Sequence, residues 1–79
     1  MSVEEEVKQI IRRITRKPDA EIAPESTFAD LKADSLDIVQ VMAAIEEKYD
    51  IELQEEALQH VKNLGGFIAF VEKAVAEKG

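Results

Sequence analysis

Little else in these 79 residues limits the fold as strictly as Asp34-Ser35-Leu36-Asp37, set directly before the apolar-rich stretch 38–49. Asp34 stands where a helix N-cap belongs, and Asp37 follows three residues later with a second carboxylate. The pair forms a variant of the capping box, in which short acceptor side chains take the orphan amides of a first helical turn. Ser35 then falls at the first helical position, with its hydroxyl projecting from an exposed helix start. A phosphate ester there would meet the positive end of the helix dipole and free backbone N–H groups. The acidic neighbours oppose that charge, so the dipole alone does not identify Ser35 as a phosphate carrier.

The helix that this cap opens is predicted from Ser35 to about Tyr49, and it carries two apolar stripes. Ile38, Val41, Met42, Ile45 and Tyr49 recur at helical spacing and make the core face. Leu36, Val39 and Ala43 form a second stripe, flanked by Asp37, Gln40, Glu46 and Glu47. From the residues alone, two readings of that stripe stay open. Either the helix packs on two sides in a small bundle, or it exposes an apolar strip rimmed by carboxylates.

In chain order, Ser2-Val3-Glu4-Glu5 reads as a capping box opening a first helix, with Val3, Val7, Ile10, Ile11 and Ile14 on one face. Lys8, Arg12, Arg13 and Arg16 are expected on its solvated side. Pro18 is expected to end it, because the residue before a proline avoids helical dihedrals. The seventeen residues 18–34 are long for a loop in a small domain. Ile22, Phe28 and Leu31 should anchor them, with a short turn near 26–31 capped by Ser26 or Thr27. Beyond Asp50, a residue suited to a left-handed helix end, Ile51 and Leu53 alternate with Glu52 as an extended link. Residues 54–61 read as a short third helix, Asn63-Leu64-Gly65-Gly66 as a break, and Phe67, Val71, Ala74 and Val75 as the core face of a last helix. The expected fold is all-α: an antiparallel four-helix bundle over a single domain, 1–79, with three longer helices, a short third one and a long first loop.

Charge separates the classes of partner. The net charge is −7, but residues 18–60 alone hold twelve acidic and two basic side chains. Such a surface repels nucleic acid and attracts basic surfaces. The chain has no cysteine, so neither disulfides nor cysteine-ligated zinc are available to a domain of marginal size. No apolar run approaches the roughly 20 residues that span a bilayer, and the charged N-terminal stretch has no signal-like apolar region. The expectation is a cytoplasmic monomer that binds neither nucleic acid nor membrane.

Asp34-Ser35-Leu36 resembles the Asp-Ser-Leu attachment motif of the acyl carrier protein family. Phe28-Ala29-Asp30-Leu31 is similar to the Phe-x-x-Leu that precedes the motif, and residues 43–53 are similar to the acidic helix and turn that follow. The resemblance implies a 4′-phosphopantetheine arm from coenzyme A, attached covalently to Ser35 by a phosphopantetheinyl transferase. It implies acyl groups held on the arm as thioesters and delivered to fatty acid or polyketide synthesis enzymes that carry basic docking patches. It further implies that such partners bind the second helix, here through Asp34, Leu36, Asp37, Val39, Ala43, Glu46 and Glu47. Fatty acid biosynthesis is the first expectation. A dedicated carrier of a polyketide, peptide or unusual-lipid pathway is the alternative, followed by an acidic interaction module without a prosthetic group.

Two positions depart from the family pattern. Lys32 stands where a glycine commonly precedes Ala-Asp-Ser, and its charge has three candidate partners: a phosphodiester, Asp34 or Asp30. Gly65-Gly66 stands where a polar residue and an aspartate often open the last helix, so the junction there is expected to be looser or shifted by a residue. Enzymatic activity is not expected. His60 is the only histidine, and nothing around it resembles the orienting partner that a serine nucleophile's base requires. No dedicated metal site is expected either, because Asp30, Asp34 and Asp37 lack the alternating oxygens of a calcium loop.

Overall fold

The computed structural model describes residues 2–54, 56 and 61–78. Within them lie three α-helices and one 3₁₀ turn, with no strand: α1 is Val3–Thr15, α2 is Ser35–Tyr49 and α3 is Leu64–Lys78. The short helix expected over 54–61 falls mainly outside the described residues, as does His60. The all-α class holds.

Helix α1 forms on the expected face. Ser2 caps it by accepting the Glu5 amide at 3.1 Å, three glutamates fill the first turn, and Val7, Ile10 and Ile11 are buried. Its end differs from expectation. The helix stops at Thr15, ahead of Pro18, because Arg16 turns left-handed at φ 62°. The Lys17 amide then reaches back to the Arg12 carbonyl at 2.9 Å, the bond that closes a Schellman-type terminus. Arg12 is also not on a solvated face. Its half-buried Nε–H donates to the Ala20 carbonyl at 2.8 Å and ties the loop to the helix.

The long loop is ordered by the anchors that its sequence marks. Ile22 and Leu31 are buried, and Phe28 meets Phe67 of α3 edge to face, with ring centres 5.4 Å apart. The expected short turn is the 3₁₀ segment Ala29–Leu31. Thr27 and Asp30 cap it reciprocally, Thr27 Oγ1 accepting the Asp30 amide at 3.1 Å and Asp30 Oδ2 accepting the Thr27 amide at 3.0 Å.

Helix α3 starts earlier than expected and includes both glycines. Asn63 is its cap, since Asn63 Oδ1 accepts the Gly66 amide at 2.8 Å. The junction is tight rather than loose. The amides of Leu64 and Gly65 donate to the carbonyls of Ser26 and Pro24 at 2.6 and 2.9 Å. A Cβ on Gly65 would lie 2.8 Å from the Pro24 oxygen, so only glycine lets the helix start touch the loop.

Helix α1 packs against both α2 and α3. Lys48 pairs with Glu6 at 3.1 Å, which sets the start of α1 beside the end of α2 and makes the two antiparallel. Val7, Ile11, Val41, Ile45, Leu64, Phe67 and Val71 are fully enclosed between the three helices. Among the described residues no charged or polar side chain is buried.

Candidate functional site

The backbone of the corner between the 3₁₀ turn and α2 is held by local hydrogen bonds, above the core anchors Phe28 and Leu31. Lys32 turns left-handed at φ 56°, and its amide donates to the Ala29 carbonyl at 2.9 Å. The Ala33 amide reaches the Phe28 carbonyl at 3.0 Å. The chain then extends through Asp34, whose Oδ1 accepts the Asp37 amide at 2.9 Å, while Asp37 Oδ2 accepts the Asp34 amide at 3.4 Å. The capping box read from the sequence is therefore present in both directions.

This division of labour releases Ser35. The chain has five serine and threonine hydroxyls, and four of them have structural bonds. Ser2 Oγ caps α1, and Thr15 Oγ1 donates back to the Ile11 carbonyl at 2.7 Å. Ser26 Oγ accepts the Ala23 amide at 3.2 Å, and Thr27 caps the 3₁₀ turn. Ser35 is exposed and its hydroxyl makes no hydrogen bond among the described residues. An ester at Ser35 Oγ would cost the fold no cap. The amides of Ser35 and Leu36, which the cap does not take, would face the ester oxygens. The exposed hydroxyl and these free amides have the accessibility and donor chemistry that a phosphate ester needs.

The second stripe of α2 faces solvent. Leu36 is 63% exposed and Val39 50%, while Gln40, Ala43 and Glu47 are exposed beside them. Asp34 is exposed and Asp37 half-buried, both occupied with the cap. The two glutamates at the far end differ. Glu47 is exposed and pairs with no other of the described residues, but Glu46 is half-buried and its Oε2 accepts the Leu53 amide at 2.9 Å. The expectation that Glu46 is a free rim carboxylate is corrected: it fastens the link after α2. Beyond Glu47, Lys48 and Ala44 help line a groove of about 840 Å³ against Gln9, Arg13 and Pro18 of the α1 side. No spacing in the sequence signals that groove, because it depends on how α1 crosses α2. At the end of α2 the Tyr49 phenol is pushed above its ordinary value by burial and, next, by the Glu6 carboxylate.

Residues 5–71 match the model of the phosphopantetheine attachment site family, which makes this chain a phosphopantetheine-bearing domain. Curated relatives narrow the class. An acyl carrier protein of Streptococcus pneumoniae serotype 4 is 42% identical over 73 residues, covering 92% of this chain and 96% of that protein. One of Solidesulfovibrio magneticus is 38% identical over 78 residues, covering 98% of this chain and all of the other. The solution structure of a holo acyl carrier protein from Geobacter metallireducens superposes with a TM-score of 0.87 at 25% identity, covering 99% of this chain and 91% of that one. The chain belongs to the acyl carrier proteins. It is a carrier rather than an enzyme, its prosthetic group is phosphopantetheine, and its partners belong to fatty acid or polyketide synthesis. No helix among the described residues is long and apolar enough to cross a membrane.

Proposed function

We propose that Ser35 carries the 4′-phosphopantetheine arm and that this protein delivers acyl groups to the enzymes of fatty acid biosynthesis. The single observation that carries the assignment to Ser35 is its uncommitted hydroxyl at a helix start capped by its neighbours. In the loading reaction, Ser35 Oγ bonds to phosphorus as a P–O bond in the pyrophosphate of coenzyme A breaks. The nucleotide leaves, and the hydroxyl proton passes to a base of the phosphopantetheinyl transferase, which also supplies the metal. The arm contributes a terminal thiol on which acyl groups are held as thioesters. Its flexible length raises their effective concentration at successive active sites.

Docking is assigned to the exposed face of α2. Leu36, Val39 and Ala43 supply apolar contact beside the root of the arm, and Glu47 with the outer edges of Asp34 and Asp37 supplies negative field. Partners that fit would present a basic patch around a small apolar recess. Acting as a monomer in the cytoplasm suits the acidic, cysteine-free chain.

The test is to incubate the protein with an acyl-coenzyme A and a transferase of broad specificity, then treat it with hydroxylamine. The expected product gains an acyl-phosphopantetheine and loses only the acyl group to hydroxylamine, as a thioester must. No gain in mass, or an acyl group resistant to hydroxylamine, overturns the carrier chemistry proposed here.

A further inference from the structure

Lys32 occupies a backbone position that suits glycine. Its φ of 56° and ψ of 30° close the 3₁₀ turn in the left-handed region, which side chains with a Cβ disfavour. It is the only cation in the sequence between Lys17 and Lys48. Its side chain is exposed and belongs to none of the ion pairs among the described residues. The nearby carboxylates are turned to backbone amides instead: Asp30 to Thr27, Asp34 to Asp37 and Asp37 to Asp34. Of the three partners that the sequence offers this lysine, the two aspartates each give one oxygen to a backbone amide, and neither forms an ion pair with it.

We infer that Lys32 is the counter-ion of the phosphodiester at Ser35, holding the root of the arm at the corner between the 3₁₀ turn and α2. The inference rests on the attachment proposed above. A phosphodiester brings one further negative charge between Asp34 and Asp37, where like charges repel at short range. Lys32 is the one positive charge close enough in the chain to offset it. Three residues span at most about 11 Å, a distance that an extended lysine stem and a serine phosphate together roughly cover. An ammonium also suits a group that must swing, because it binds phosphate as a point charge rather than through a fixed fork.

The experiment compares wild type with Lys32→Gln, Lys32→Arg and Lys32→Gly, each before and after loading by a transferase with coenzyme A. Melting temperature and the ³¹P resonance of the loaded form are read at low salt and at 1 M salt. Loading should lower the Tm of Lys32→Gln by about 1–8 °C more than that of wild type, the range for an exposed ion pair in a domain of this size. Lys32→Arg should follow wild type. Lys32→Gly should melt higher when unloaded, its strain relieved, yet show the same extra loss as Lys32→Gln. Both this difference and the ³¹P difference between wild type and Lys32→Gln should disappear at 1 M salt, where screening falls to about 3 Å. Equal loading shifts in all four proteins, with the lysine's removal felt alike before and after loading, would assign it to Asp30 or Asp34 and overturn the inference. Failure of Ser35 to load at all, read from the intact mass, is a different outcome: it overturns the attachment itself and the counter-ion role with it.

Discussion

Asp34 and Asp37 exchange side-chain-to-amide hydrogen bonds across the first turn of α2, at 2.9 and 3.4 Å, and leave the serine between them without a capping task. The fold and the chemistry of this corner therefore depend on different residues. Asp34→Ala should destabilise the protein by about 1 kcal/mol, the usual cost of losing an N-cap, or about 4–8 °C in Tm. Ser35→Ala should melt within about 2 °C of wild type, because an exposed, unbonded hydroxyl contributes little to stability. Thermal denaturation of the two variants side by side checks the separation.

The two adjacent glycines of α3 should respond in opposite ways to the same substitution. Gly65→Ala forces a Cβ to within 2.9 Å of three Pro24 atoms, two of them backbone. It should cost about 1–3 kcal/mol, as overpacking does. Gly66→Ala meets only Asn63 Oδ1 at 3.3 Å and Val61 Cγ1 at 3.7 Å, and alanine gains about 1 kcal/mol of helix propensity there. Its stability should match or exceed that of wild type. Denaturant midpoints with unchanged slopes would separate the two cleanly.

These glycines also mark how far the sequence alone carries. Features set by local spacing were legible: the cap at Asp34, the span Ser35–Tyr49 of α2, the buried face of α1 and the anchors Ile22, Phe28 and Leu31. Each depends on helical period, on side chains three residues apart, or, for Ile22, on a lone apolar residue in a polar loop. Features set by contact between distant segments were not. Arg12 meets Ala20, Gly65 meets Pro24, and Glu46 holds the Leu53 amide. In each case the residue type suited a different role just as well: a solvated arginine, a helix-breaking glycine, a rim carboxylate. At the site, Ser35 stood out by motif and the cap at Ser2 was legible too, but the Thr15 bond to the Ile11 carbonyl and the division of roles between Ser26 and Thr27 emerged only from the folded chain.

The clasp at Glu46 decides which variants can test docking. Glu46→Lys should lower stability by about 1 kcal/mol through loss of a hydrogen bond to a charged, half-exposed acceptor, so slowed association in that variant is ambiguous. Glu47→Lys and Val39→Asp avoid this. Against a ketosynthase or the transferase, Glu47→Lys should slow association at low salt and not at 1 M. Val39→Asp should speed dissociation by about tenfold or more, equivalent to about 1.4 kcal/mol. Stopped-flow rates across a salt series check both, and rates indifferent to both substitutions would remove the docking face from α2.

The ends of α2 and α3 are joined by Lys78, whose ammonium reaches both the Asp50 carbonyl and its carboxylate, the latter at 2.6 Å. The hydrogen bond from Lys78, reinforced by its charge, holds the Asp50 carboxyl below its ordinary value. A carboxylate with a depressed folded pKa adds stability that is present at neutral pH and lost as pH falls through that folded value. Lys78→Ala should therefore raise the Asp50 titration midpoint, and its small Tm deficit at neutral pH should vanish in acid. Titration of the Asp50 side chain by NMR in both proteins measures the shift directly.

The attachment at Ser35 is tested most directly by mapping where a transferase puts the arm. Cleavage after Lys32 and Lys48 releases residues 33–48, a peptide in which Ser35 is the only hydroxyl-bearing side chain. After incubation with coenzyme A, magnesium and a transferase, one phosphopantetheine should appear on that peptide and on no other, and Ser35→Ala should acquire none. An unmodified wild type, a group on any other peptide, or a modified Ser35→Ala would contradict the account.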